Sequence, residues 1–73
     1  MTNQEPTRAE LLSALAELGR LRPEWRLGQT LANVAMTAGR MDAGAVWDLE
    51  DVEALSAVRL LISECKQEQR ASA

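Results

Sequence analysis

The strongest constraint on this chain is a small core without the cross-links that small domains commonly use. Its 73 residues leave room for one hydrophobic core, so we expect residues 1–73 to form a single domain. The sequence contains one cysteine and no histidine, which excludes an internal disulfide and the common zinc sites. Oligomerisation is the remaining common source of stability, and we therefore expect a homodimer.

The first predicted helix covers residues 8–21. Leucine and alanine recur there at helical spacing on one face, and charged residues occupy the opposite face. Thr7, followed three residues later by Glu10, fits a capping box, in which each side chain accepts a hydrogen bond from the other residue's backbone N–H. We therefore expect Thr7 and Glu10 to have structural roles at the start of this helix.

The second predicted helix covers residues 24–38 and has a broad apolar arc. A stripe of large apolar residues runs beside a stripe of small ones, which are Gly28, Ala32, Ala35 and Gly39. Such a helix is typical of one packed between two neighbours, and small residues allow one neighbour to approach closely. We expect helix 2 to be the central element, with Gly28 in that contact and Trp25 as a structural anchor at its start.

The third predicted helix covers residues 49–68. Asp48 is expected to cap its N-terminus, with Asp51 in its first turn. Trp47, just before the cap, and Val52 stand at the spacing of a hydrophobic staple. We therefore expect Trp47 to be a second structural anchor.

No segment shows the alternation of a β-strand, and the chain has no internal repeat. The sequence therefore predicts a small all-α domain of three helices with frayed termini, residues 1–6 and 69–73. Cys65 falls on the predicted packed face of the third helix, and no histidine is available as a base for a nucleophilic thiol. A buried apolar role is therefore favoured over a reactive one.

Two motifs, RPEWRLGQTLANVA and VWDLEDVEAL, resemble a group of small uncharacterised bacterial and phage proteins. The matching positions are Pro23, Glu24, Arg26, Leu27, Gly28, Gln29, Leu31, Asn33, Trp47, Glu50 and Asp51. The sequence departs from the group at Thr30, where an aliphatic residue is common, and Asn33 matches either in register or one place off. The resemblance covers about half of the chain and implies a helical fold without implying an activity.

The charge of the chain argues against several classes of partner. Its net charge is −3, which is the wrong sign for unspecific attraction to nucleic acid or to an anionic membrane. No apolar run is long enough to span a membrane, and no secretory signal is visible. The sequence predicts a soluble, cytoplasmic protein, and its second half, with three basic and seven acidic residues, suits a basic partner.

Arg26, Gln29 and Asn33 form a polar stripe on the second helix. These side chains could bind a carboxylate, a phosphate or a peptide backbone of a partner. The favoured alternative is structural, with Arg26 paired to Glu50 or Asp51. In that case Arg26→Ala lowers the stability of the fold.

Four carboxylates lie close together in the third helix and its N-cap, at Asp48, Glu50, Asp51 and Glu53. Oxygen ligands of this kind suit Mg²⁺ or Ca²⁺. However, neighbouring positions project about 100° apart, and stabilisation of a helix N-terminus already explains acidic residues there. We therefore predict no metal and no other cofactor.

The sequence favours a non-catalytic interaction or regulatory module that binds a protein partner, such as an inhibitor or immunity-type protein. It lacks histidine, tyrosine and a glycine-rich phosphate loop, which disfavours an enzyme. Leu60 lies off the predicted core face and is either an ordinary exposed leucine or part of a dimer or partner surface. The alternative function is a helix-turn-helix-like DNA-binding regulator, which the acidic start of the third helix disfavours.

Overall fold

A computed structural model of the chain describes residues 5–40 and 45–71. The described part contains four helices and no strand: α1 (Glu5–Leu21), α2 (Leu27–Thr37), α3 (Ala45–Asp48) and α4 (Asp51–Ala71). The predicted all-α fold is confirmed, and the three predicted helices correspond to α1, α2 and α4. Residues 5–6 and 69–71, which are predicted to fray, lie in the terminal turns of α1 and α4, and residues 1–4 and 72–73 lie outside the described part.

Helix α1 lies along α4 in a parallel direction, with the two N-termini at the same end. Arg8 donates from Nε to Asp51, the first residue of α4, at 2.7 Å. Further along, Glu17 of α1 pairs with Lys66 of α4 at 3.3 Å. Ion pairs at both ends of the contact therefore establish the direction and register of α1 against α4.

Helix α2 runs antiparallel to α4. Trp25, just before α2, lines a cleft with Leu61 and Cys65 in the second half of α4. At the other end of α2, Thr37 lines a cleft with Val52 near the start of α4. The short helix α3 connects these two helices and contacts α2.

Helix α4, rather than α2, is the central element, and the prediction for helix 2 is wrong. The contacts of α1 and α2 with α4 are far more extensive than any between α1 and α2 themselves. The broad apolar arc of α2 therefore has one long neighbour instead of two, and Leu27 is 72% exposed. Gly28 is also exposed, and no atom lies near the space that its missing side chain would fill, so its expected role in a close helix contact is wrong.

The core lies along α4. Leu18, Val34 and Val58 are large and fully buried, and they come from α1, α2 and α4 in turn. Helix α4 supplies most of the other buried apolar residues, which are Ala54, Leu55, Ala57, Ile62 and Cys65. Cys65 is thus buried, as predicted, and it forms no disulfide.

The predicted capping role of Thr7 is wrong, because α1 begins two residues earlier, at Glu5. Pro6 is compatible with this start, since the first N–H groups of a helix have no intrahelical partner. Glu10 pairs instead with Arg59 of α4 at 2.7 Å. Its contribution is therefore to the contact between two helices.

The start of α4 lies two residues later than predicted. Asp48 is the last residue of α3, so its expected capping role is wrong, and Asp51 is the first residue of α4. The side chain of Glu53 accepts the backbone N–H of Glu50 at 3.2 Å, as the third helical residue does in a capping box. Leu49, rather than Trp47, packs against the core ahead of this helix.

The end of α2 is a Schellman motif built on Gly39. The N–H of Gly39 donates to Met36 at 2.9 Å, and the N–H of Arg40 donates to Ala35 at 2.8 Å. Gly39 has a φ of +87°, in the left-handed region that glycine adopts without strain. This turn directs the chain away from α2 at Arg40.

Candidate interaction surface

The most unusual surface feature is the exposure of large apolar side chains around α3 and the start of α4. Trp47 is 92% exposed and Val52 is 61% exposed, so the predicted staple between them is wrong. Val46 and Leu60 are also about half exposed. We refer to Val46, Trp47, Val52 and Leu60 as the α3–α4 patch.

Part of the α3–α4 patch borders an open cleft of about 370 Å³ between the end of α2 and the first half of α4. Ala38 and the buried Ala57 contribute apolar surface, and Val52 and Leu60 border it from α4. Ser56 lies one helical turn from both Val52 and Leu60, and its small side chain lines the cleft between them. The sequence singled out Leu60, and the structure places it in a cleft rather than alone on a helix surface.

One ion pair lies at the edge of this cleft. Nη2 of Arg40 donates to both carboxylate oxygens of Glu53, at 3.0 and 3.1 Å. This hydrogen bond, together with the one from the Glu50 backbone N–H, holds the pKa of Glu53 below its ordinary value. The carboxylate of Glu53 is therefore already paired within the fold.

Other carboxylates near the patch are open to solvent. Asp48 and Glu50 are exposed, and neither makes an ion pair with any described residue. Glu64 is also exposed and without such a pair, and it follows Leu60 by one helical turn. Both ends of the cleft therefore have acidic side chains available to a partner.

The expected pairing of Arg26 with Glu50 or Asp51 is wrong. Asp51 is bound by Arg8, whose pKa the Asp51 carboxylate raises, and Arg26 has no ion pair among residues 5–40 and 45–71. Arg26 instead precedes α2 in an extended conformation, and its carbonyl accepts the N–H and the hydroxyl of Thr30. Its guanidinium is exposed.

The remaining residues of the polar stripe are partly available. Gln29 is exposed, and Asn33 is half-buried. Neither forms a side-chain hydrogen bond with another described residue. The proposal that Arg26, Gln29 and Asn33 contact a partner therefore stays a prediction.

A second cleft, of about 550 Å³, lies at the other end of α2. The guanidinium carbon of Arg22 lies 5.6 Å from the ring centre of Trp25, and the same guanidinium pairs with Glu68. The Glu68 carboxylate and then the Cys65 thiol raise the pKa of Arg22. Trp25 is half-buried against the core, as expected of a structural anchor, and Arg22 is engaged by its neighbours.

The described residues contain no group of three or more histidine, cysteine, aspartate or glutamate side chains arranged to hold a metal ion. Two of the four clustered carboxylates form ion pairs: Asp51 pairs with Arg8, and Glu53 pairs with Arg40. None of the described helices combines the length and the apolar character that a bilayer crossing requires.

No protein family model matches this chain, and neither a curated protein nor a solved structure is significantly similar to it.

Sequence reasoning missed the roles of Arg8, Arg22 and Arg40, which join distant helices. Each of these arginines flanks a helix or lies in its first turn, but nothing in the sequence says which carboxylate it meets. Val52 stands at the spacing of a staple in the sequence, but the structure leaves its side chain on the surface.

Proposed function

We propose that this chain is a non-catalytic helical module that binds other proteins, assembles as a homodimer and favours a basic partner. The exposure of Trp47 carries the proposal. A large aromatic ring offers substantial burial energy, and an indole left almost wholly in water is typical of a contact site. Val52 and Leu60, which border one cleft on α4, are further exposed apolar side chains.

The small hydrophobic core supports the proposed homodimer. Among the described residues, only Leu18, Val34 and Val58 are both large and fully buried. Leu27 lies at the start of α2, and Val52 of α4 borders the cleft at the other end of α2. Apolar side chains are therefore exposed near both ends of α2. A second copy that covers part of this surface would add the stability that a chain of this length lacks.

The basic partner is supported by the carboxylates that remain open around the patch, at Asp48, Glu50 and Glu64. Opposite charge on a partner would speed association and select against acidic proteins. An inhibitor or immunity-type protein in the cytoplasm, which covers a basic surface of its target, is the specific form that we favour.

Affinity capture from the native host, combined with light scattering of the purified protein, tests this function. We expect a particle of about twice the 8.0 kDa chain mass and the salt-sensitive capture of a basic protein. A monomer that captures no specific protein contradicts the proposal.

DNA binding is the alternative outcome of the same experiment. Arg59 and Lys66 are exposed basic residues of α4, but they pair with Glu10 and Glu17 of α1. Their charge is therefore partly neutralised, which disfavours contact with phosphates. Affinity for duplex DNA at moderate salt, without a protein partner, would favour the helix-turn-helix alternative.

A further inference from the structure

The cleft between α2 and α4 is bordered by exposed apolar side chains at helical spacing along α4. Val52 and Leu60 are eight positions apart on one helix, which corresponds to about 12 Å, or two helical turns. The small side chains of Ser56 and Ala57 line the cleft between Val52 and Leu60. An amphipathic helix that presents apolar side chains at successive turns fits this arrangement.

The charges around the cleft distinguish between possible occupants. Asp48 and Glu50 precede its Val52 end, and Glu64 follows its Leu60 end, all without an ion pair among the described residues. No basic side chain is among the described residues that line the cleft, and Arg40 is bound to Glu53 at its edge. A second copy docked here would bring acidic side chains against acidic side chains, whereas a basic helix would be attracted.

Trp47 is a further exposed apolar side chain, ahead of Val52 in the chain. It lies on α3, five positions before Val52, and it is almost completely exposed. An indole face in that position could receive a lysine or arginine of the occupant by a cation–π contact. A basic residue in the occupant would then meet both the ring and the neighbouring carboxylates.

Resting on the proposed function, we propose that the α2–α4 cleft binds a basic amphipathic helix of a partner protein. Val52 and Leu60 receive its apolar side chains. Trp47, Asp48, Glu50 and Glu64 receive the lysine or arginine residues that flank them.

The test uses a fluorescently labelled peptide of about 14 residues, or four helical turns, with leucines on one face and lysines beside them. A matched peptide carries glutamate in place of lysine. We expect the basic peptide to bind the full chain, with an affinity that falls as salt rises, and the acidic peptide to bind at least about tenfold more weakly. Absence of binding by the basic peptide, or equal binding of both peptides, overturns the proposal.

The chain itself offers a matched control variant. Leu60 is 52% exposed in the cleft, and Leu12 is 58% exposed on α1, outside the residues that line it. We expect Leu60→Ala and Trp47→Ala to weaken the basic peptide about tenfold and Leu12→Ala to leave it unchanged. Because all three side chains are exposed, thermal unfolding should show that each variant folds, and equal effects of Leu60→Ala and Leu12→Ala overturn the assignment.

Light scattering and partner capture separate this assignment from the proposed function. If Leu60→Ala converts a dimer to a monomer while Leu12→Ala does not, a second copy occupies the cleft and the basic-helix assignment fails. If Leu60→Ala retains a partner that the native chain captures, the proposed function stands and the cleft assignment fails.

Discussion

Arg40, the residue that follows the turn after α2, holds the carboxylate of Glu53 in the first turn of α4 at 3.0 and 3.1 Å. The same carboxylate accepts the backbone N–H of Glu50 at 3.2 Å. One side chain thus stabilises the N-terminus of α4 and joins it to the end of α2. Ionisation of Glu53 strengthens both interactions, and the Arg40 contact is the larger cause of its lowered pKa.

The lowered pKa of Glu53 predicts a loss of stability in acid. A carboxyl group whose pKa is lower in the folded state stabilises the fold above its unfolded pKa, and this contribution is lost as pH falls through the folded pKa. The relevant window therefore lies below the ordinary value of 4.5. We expect the melting temperature of the native chain to fall more than that of Glu53→Gln between about pH 6 and about pH 3. Glu64→Gln is the control, and the same acid sensitivity in Glu53→Gln and the native chain would count against this role.

Two glycines are expected to respond oppositely to alanine. Gly28 lies in α2 with open space around its missing side chain, so Gly28→Ala should stabilise the fold by about 0.5–1 kcal/mol through helix propensity. Gly39 has a positive φ, so Gly39→Ala should destabilise it by about 1–2 kcal/mol. Urea unfolding measures both changes. A destabilising Gly28→Ala would instead indicate that another molecule approaches α2 closely at this position.

Arg26→Ala should leave the free energy of unfolding unchanged to within about 0.5 kcal/mol. The guanidinium is exposed and makes no ion pair with a described residue, so its removal breaks no contact there. Thermal unfolding is the measurement, with the core variant Leu18→Ala as a positive control. A clear drop in melting temperature for Arg26→Ala would restore the structural role that the sequence suggested.

Leu18→Ala should be severely destabilising, whereas Leu12→Ala should not. Leu18 is completely buried, and truncation of a buried leucine costs about 2–5 kcal/mol. Leu12 is on the same helix but 58% exposed, so we expect a change of about 0.5 kcal/mol. Chemical unfolding of the two variants distinguishes them, and similar losses would mean that a second molecule buries Leu12.

The sequence predicts the helices well because each one has a clear apolar periodicity. Leu18 and Cys65 recur on the predicted packed faces, and both are buried. The periodicity does not show how many other helices will pack against a given helix. The broad apolar arc of α2 is compatible with a central position, yet α2 spans only eleven residues beside the longer α4, which contacts both partners.

The helix starts and the surface patch were harder to predict for a related reason. Asp is a preferred N-cap residue and Glu is not, so the capping pattern favours Asp48 over Glu50 and predicts the earlier start. The structure selects the later start, which places Leu49 against the core and leaves Trp47 in solvent. A shift of two residues therefore turns an expected anchor into the most exposed aromatic side chain of the described chain.

The parallel contact of α1 with α4 has a consequence for how the chain folds. Arg8 and Asp51 are 43 positions apart, and Glu10 and Arg59 are 49 positions apart. Adjacent antiparallel helices can meet as a local hairpin, but this contact requires closure of a loop of more than forty residues before it forms. We therefore expect slower folding than in an up-and-down bundle of the same size, because the largest interface joins the two most distant parts of the chain.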